Sequence, residues 1–130
     1  MPSTQHIPVR AAGPTVRDAM LHAPRTLSTA TPVAEARATF ANPRVRLLLV
    51  VDGERFAGTL TPEDMRDDAA TVGDLARADA PRVAPDDPVD RALEVLERVG
   101  GERLPVVDDE RRLCGLVCFD RDGAQFCVDP

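Results

Sequence analysis

The chain has 130 residues, 16 basic and 22 acidic, for a net charge of −6, and every basic residue is arginine. That balance leaves no basic face for nucleic acid or an anionic membrane, and the lack of Trp and Tyr removes base-stacking platforms. The length suits one domain, or two half-domains sharing a core.

Met1 to Pro14 is small, polar and proline-bearing, without a signal-peptide stretch, and reads as a flexible leader. Thr15 caps a short turn, with Asp18 three residues on. His22-Ala23-Pro24 breaks it, and Arg25-Thr26-Leu27 is a short extended piece. Thr31-Pro32 starts a helix that runs to about Ala41 with Val33, Ala36 and Phe40 on one side. Asn42-Pro43 stops it. Arg46–Val51 is a strand, Asp52-Gly53 a tight turn, and Arg55–Leu60 the antiparallel partner. Thr61-Pro62-Glu63-Asp64 opens a second helix ending near Ala70. The longest apolar run, Leu47 to Val51, is too short for a membrane span, so the cytoplasm is the default location.

The pattern then recurs. Leu48 and Leu104, Asp52 and Asp108, Thr15-Val16 and Thr71-Val72, Pro32-Val33 and Pro88-Val89 are all separated by 56 positions. After the two aspartates the offset becomes 57, pairing Gly58 with Gly115, so the second copy holds one extra turn residue. The chain is one unit written twice, 15–70 and 71–130. A unit of that size buries too little surface to be secure alone, so the copies should pack together. In the second copy Asp87-Pro88 opens a helix carrying Val89, Ala92, Leu93, Leu96 and Val99 at core-facing spacing, and Gly100-Gly101 ends it. Leu104–Val107 is apolar enough to be buried on both faces, and Leu113–Phe119 returns beside it. Cys118-Phe119-Asp120-Arg121 stands where the first copy has its hydroxyl cap and proline. Asp122-Gly123 then reads as a hairpin turn leading to a last strand, Gln125–Val128, in place of the closing helix.

The order strand, helix, strand, strand, helix, repeated, with Leu104-Pro105-Val106-Val107-Asp108 and Gly58-Thr59-Leu60-Thr61-Pro62-Glu63-Asp64, resembles the CBS domain family, whose tandem pairs are called Bateman modules. The resemblance covers Thr15 to about Arg121. It implies an α/β fold of two β-α-β-β-α repeats related by a pseudo-twofold, sheets face to face and helices outside. It also implies a sensor, with AMP, ADP, ATP or S-adenosylmethionine in a cleft between the repeats, and a homodimer. By the match Thr61 would contact phosphate and Asp64 the ribose hydroxyls, while Leu48, Thr26 and Leu27 would line the base.

The residues carry their own chemistry. Thr61 sits at a helix start, where free N–H groups favour an anion, and a carboxylate such as Asp64 can accept from two vicinal hydroxyls. Thr-x-x-Asp is equally an ordinary capping box. Glu63 and Asp64 oppose a polyphosphate unless a cation compensates; Arg25 and Arg46 are the candidates. That favours a ligand with few phosphates. In the second copy Cys118 replaces the hydroxyl and Arg121 the acid, which leaves a degenerate site. Cys114 and Cys118 share a strand face, and the hairpin can bring Cys127 to Cys118. The three are candidates for a redox pair, or for plain apolar packing. No metal site is expected, since His6 and His22 lie far off in sequence.

No catalytic motif is present, and no cofactor is required. The leading reading is a stand-alone regulatory module that signals to an unknown effector protein. The rivals are a ligand-free dimerisation module and a thiol redox sensor.

Overall fold

The computed structural model describes residues 5–9, 13–65 and 71–128. In chain order they form β1 (Gln5–Pro8), β2 (Thr26–Ser28), α1 (Val33–Phe40), β3 (Leu48–Asp52), β4 (Arg55–Leu60), α2 (Val89–Val99), β5 (Arg103–Val107), β6 (Leu113–Asp120) and β7 (Gln125–Val128). They fall into two compact units, Arg25–Ala80, and Met1–Pro24 together with Pro81–Pro130. These units cut across the sequence copies: the segment that opens each copy is built into the unit holding the other copy's sheet.

In Arg25–Ala80, β3 and β4 form a hairpin in which Asp52 faces Arg55, and β2 runs parallel to β3. Gly53 closes the turn at φ +65, the left-handed value a two-residue hairpin loop requires. Val33 and Ala36 of α1 meet Leu48, Val50 and Leu60 of the sheet in one core. Val72 and Leu75, from the opening of the second copy, complete that core. They are held by backbone bonds: Val72 N–H donates to Thr31 O (2.8 Å) and Gly73 N–H to Thr29 O (3.0 Å).

The other unit has a four-stranded sheet in the order β1-β7-β6-β5, antiparallel throughout. α2 buries Val89, Ala92, Val95 and Leu96 against it. Leu93 is half-buried and Val99, in the last turn, is 44% exposed. Gly100 ends the helix at φ +69, as the double glycine anticipates. The opening of the first copy docks here in the same way, with Val16 N–H on Asp87 O (2.8 Å) and Arg17 N–H on Pro85 O (3.0 Å). Even the register irregularities repeat, between Val50 and Val51 and between Val106 and Val107.

The hairpin expected in place of the last helix is present, with β7 returning along β6. Two elements differ from expectation. Within the leader, Gln5–Pro8 is a strand, because β7 presents a second edge of N–H and C=O groups that β1 satisfies. The helix expected from Thr61 is a 3-10 turn, Pro62–Asp64, ended by Met65 in extended conformation (φ −74, ψ 121). Met65 leaves the helical path to pack on the unit's core; 66–70 lie outside the described residues. Among the described residues no helix is long and apolar enough to cross a membrane.

Candidate functional site

β4 ends at Leu60, and Thr61 turns the chain into the Pro62–Asp64 turn. The Asp64 carboxylate folds back on that turn. Its Oδ2 accepts from the Thr61 N–H and from the Thr61 hydroxyl, both at 2.9 Å. Its Oδ1 accepts from Arg77 Nε at 2.7 Å. The side chain of Asp64 is only 7% exposed, whereas that of Arg77 is 67% exposed. The carboxylate is therefore nearly withdrawn from water, with three donors satisfying it.

Arg77 reaches this place through its backbone. Thr59 N–H donates to Arg77 O (3.2 Å) and Arg77 N–H to Thr59 O (2.9 Å). The approach needs Gly58, whose φ is +148 and whose missing Cβ would lie 2.7 Å from the Arg77 backbone. The opposite unit repeats the arrangement with Leu21 and Leu116, which exchange both backbone bonds, and with Gly115, whose Cβ would meet Leu21 O and Met20 Sδ.

Beside the Asp64–Arg77 pair lies a cavity of about 500 Å³ lined by Glu63, Asp64 and Asp74 to Asp79. Arg77 is the one cation among its described lining residues; Glu63, Asp64, Asp74 and Asp79 are acidic. The surroundings disfavour a ligand with many negative charges and suit a neutral or cationic group next to one anion.

Of the residues singled out in the sequence, Thr61 and Asp64 come together here. Leu48 is buried in the unit's core and Leu27 packs against it, so neither lines the cavity. Thr26 is exposed, at the end of β2 where it pairs with the buried Leu49. Arg25 and Arg46 are exposed, and Arg46 Nε donates to Pro43 O (3.3 Å). The arginine that pairs with Asp64 is Arg77. No local pattern marks it, because its placement depends on a pairing with Thr59 from the preceding copy.

In the second copy Arg121 takes the position of Asp64 and does a different job. Its guanidinium donates to Leu96 O (2.9 Å) and Gly101 O (2.7 Å), satisfying carbonyls at the end of α2. Cys118 lies on β6 between Arg103 of β5 and Cys127 of β7. Cys114 does not share that environment. It is the extra residue where the register slips, between Leu113 opposite Val107 and Gly115 opposite Val106. The bulge breaks the alternation that would have set Cys114 beside Cys118. Cys114 packs on the core, with Sγ 3.6 Å from Arg112 O, and burial raises its thiol pKa. His6, remote in sequence, pairs with Cys127. Among the described residues no three His, Cys, Asp or Glu side chains converge as metal ligands.

The family model of the CBS domain matches residues 16–70 and 72–120. An inosine-5'-monophosphate dehydrogenase of Thermoplasma acidophilum is 30% identical over 94 residues, which are 71% of this chain and 19% of that protein. The chain thus spans about a fifth of that relative's length. Among solved structures, CBSX2 in complex with AMP is 24% identical, with a TM-score of 0.72 over 86% of this chain and 93% of that one. A CBS domain pair in complex with 5'-methylthioadenosine and S-adenosyl-L-methionine is 22% identical, with a TM-score of 0.61 over 80% and 88%.

Proposed function

The chain belongs to the CBS domain family and carries two copies of that domain; from that premise we propose that it is a non-catalytic sensor taking an adenosine-type ligand at Thr61 and Asp64. The observation that carries this is the Asp64 carboxylate, nearly buried at the wall of a cavity of about 500 Å³, a volume within the range of small-molecule sites. The carboxylate would accept from the ribose hydroxyls, with Arg77 turning from Oδ1 to a phosphate. The crystal forms of the relatives with AMP and with S-adenosylmethionine support this choice of ligand class.

The four carboxylates around one arginine rank the ligands. A nucleoside, a monophosphate or a sulfonium such as S-adenosylmethionine fits better than a triphosphate. A ligand that prefers one arrangement of the chain shifts its population, and we take the output to pass to another protein through a cytoplasmic homodimer.

Thermal denaturation with adenosine, AMP, ADP, ATP and S-adenosylmethionine tests the reading. A ligand that binds only the native state adds about 2.7 kcal/mol at a concentration a hundred times its Kd. A rise in Tm with AMP or S-adenosylmethionine, larger than with ATP and abolished by Asp64→Ala, is the expected result. A rise that survives Asp64→Ala removes Asp64 from the site, and no rise with any compound favours a ligand-free dimerisation module.

A further inference from the structure

The face of the four-stranded sheet that turns away from the core carries a row of reactive side chains. Opposed residues point to the same side of a sheet, so His6, Cys127, Cys118 and Arg103, paired in that order across β1, β7, β6 and β5, stand side by side. Their neighbours along the strands, Phe126, Val117 and Leu104, are buried in the core on the other face. The row therefore does not take part in the core packing, and the two cysteines are half-buried and unbridged.

The backbone pattern sets their spacing. Phe119 N–H donates to Glu102 O (2.7 Å), so on the β5 side the hydrogen-bonding position is 119. Cys118, one residue earlier, must turn its own N–H and C=O toward β7. Cys118 and Cys127 are thus a hydrogen-bonded antiparallel pair, with Cα atoms ~5.5 Å apart, inside the ~4.4–6.8 Å that a disulfide spans. The Cβ atoms of such a pair stand toward ~5.5 Å apart, wider than the ~3.5–4.5 Å of a disulfide, so closing the bond draws the two strands together by about an ångström.

We propose that Cys118 and Cys127 form a reversible disulfide in response to a hydroperoxide, and that Cys114 takes no part. The Cys127 thiol is pushed up to about 12, by burial first and by the neighbouring Cys118 second, so it keeps its proton at neutral pH. A thiol reacts through its sulfur once the proton is lost, and we place the first step at Cys118 because burial and the neighbouring thiol hold Cys127 protonated. Its sulfur attacks a peroxide oxygen, the O–O bond breaks, and the leaving oxygen takes a proton to become water or an alcohol. The Cys118 sulfenic acid is then attacked by the Cys127 sulfur. The S–S bond forms, the S–O bond breaks, and the Cys127 proton departs with the oxygen as water. Two electrons pass from the two sulfurs to the peroxide, and a dithiol reverses the bond by exchange. The nucleotide reading plays no part in this chemistry.

The test uses the full chain without nucleotide, treated with hydrogen peroxide, blocked with an alkylating agent and digested with trypsin. Cleavage after Arg112 and Arg121 places Cys114 and Cys118 in one peptide and Cys127 in the next. The expected product joins the two peptides through Cys118 and Cys127 with Cys114 alkylated, and dithiothreitol added before the alkylating agent returns all three thiols. A link through Cys114, a link between two chains, or three alkylated thiols after treatment overturns the proposal. Cys127→Ser should trap a sulfenic acid on Cys118, whereas a sulfenic acid on Cys127 in Cys118→Ser would reverse the assigned order. Where either variant fails to fold, the wild-type peptide map still decides.

Discussion

Removing the Arg77 side chain separates what that residue does for the fold from what it does for a ligand. In the free protein Arg77 Nε lies 2.7 Å from Asp64 Oδ1, but the arginine is 67% exposed. Screening by water then limits the pair to about 1 kcal/mol or less. Asp64 keeps both bonds from Thr61, so Arg77→Ala does not strand a buried charge. The stability cost should stay below about 1 kcal/mol, a Tm fall of no more than roughly 8 °C. Ligand binding divides more sharply. If ribose hydroxyls must displace Arg77 from Oδ1, its removal saves that same energy, and adenosine should bind up to about fivefold tighter. If the displaced guanidinium then meets a phosphate, AMP loses a charge-assisted hydrogen bond of about 1.5–3 kcal/mol. AMP should therefore weaken by roughly tenfold, even after the gain at Oδ1. Isothermal titration of adenosine and AMP against both proteins reads the difference. Equal changes for the two ligands refute the phosphate role, and weaker adenosine binding in the variant refutes the competition at Asp64.

Other positions give independent checks. Gly58→Ala should cost about 3 kcal/mol in a urea midpoint, since φ +148 is strained for alanine and the new Cβ meets the Arg77 backbone at 2.7 Å. Arg121→Ala should cost about 1 kcal/mol by removing the Nη2 bonds to the Leu96 and Gly101 carbonyls, of which Leu96 O keeps its bond from Gly101 N–H; Arg121→Lys should recover only part, because its ammonium sits on a shorter side chain than the Nη2 that serves both carbonyls. Asp108 accepts from the Arg112 and Glu110 N–H groups and from Arg112 Nε, which holds its carboxyl below the ordinary 3.8, the Arg112 backbone bond acting most strongly. A depressed folded value stabilises above the unfolded pKa and fades as pH falls through the folded one. The gap between wild type and Asp108→Asn should thus be full at neutral pH and close below about pH 4; a gap that widens on acidification contradicts the assignment.

What could be read from the sequence was whatever repeats or whatever is local. The 56-residue offset exposes the duplication, and it carries through to matching register slips at Val50 and Val106. Asp122-Gly123, with no hydroxyl cap before it, announces the last hairpin. Long-range backbone pairing has no such signature. Nothing near Arg77 tells that its carbonyl and N–H meet Thr59, and nothing near His6 tells that it will stand beside Cys127. The alternation rule failed at Cys114 for a related reason: a bulge is one residue of excess that a simple period of two does not register. An apolar strand residue such as Leu48 serves a core and a binding wall equally well in sequence, and only the structure shows its place in one core with Val33, Ala36 and Leu60.

The exchange of opening segments also explains how one duplicated frame yields two unlike units. In Arg25–Ala80 the docking segment contributes Arg77, and the residue facing it at the end of the hairpin is an acid, Asp64. In the other unit the corresponding positions are Leu21 and Arg121. Leu21 brings no charge to meet the guanidinium, so Arg121 turns to the carbonyls that end α2. The same backbone scaffold thereby holds a polar pair beside a cavity in one unit and a helix cap in the other. The cavity of the first is itself composite, with Glu63 and Asp64 from one sequence copy and Asp74 to Asp79 from the next. A ligand bound there would touch both copies within a single unit, and its contact with Arg77 would bear directly on the segment by which the second copy is anchored.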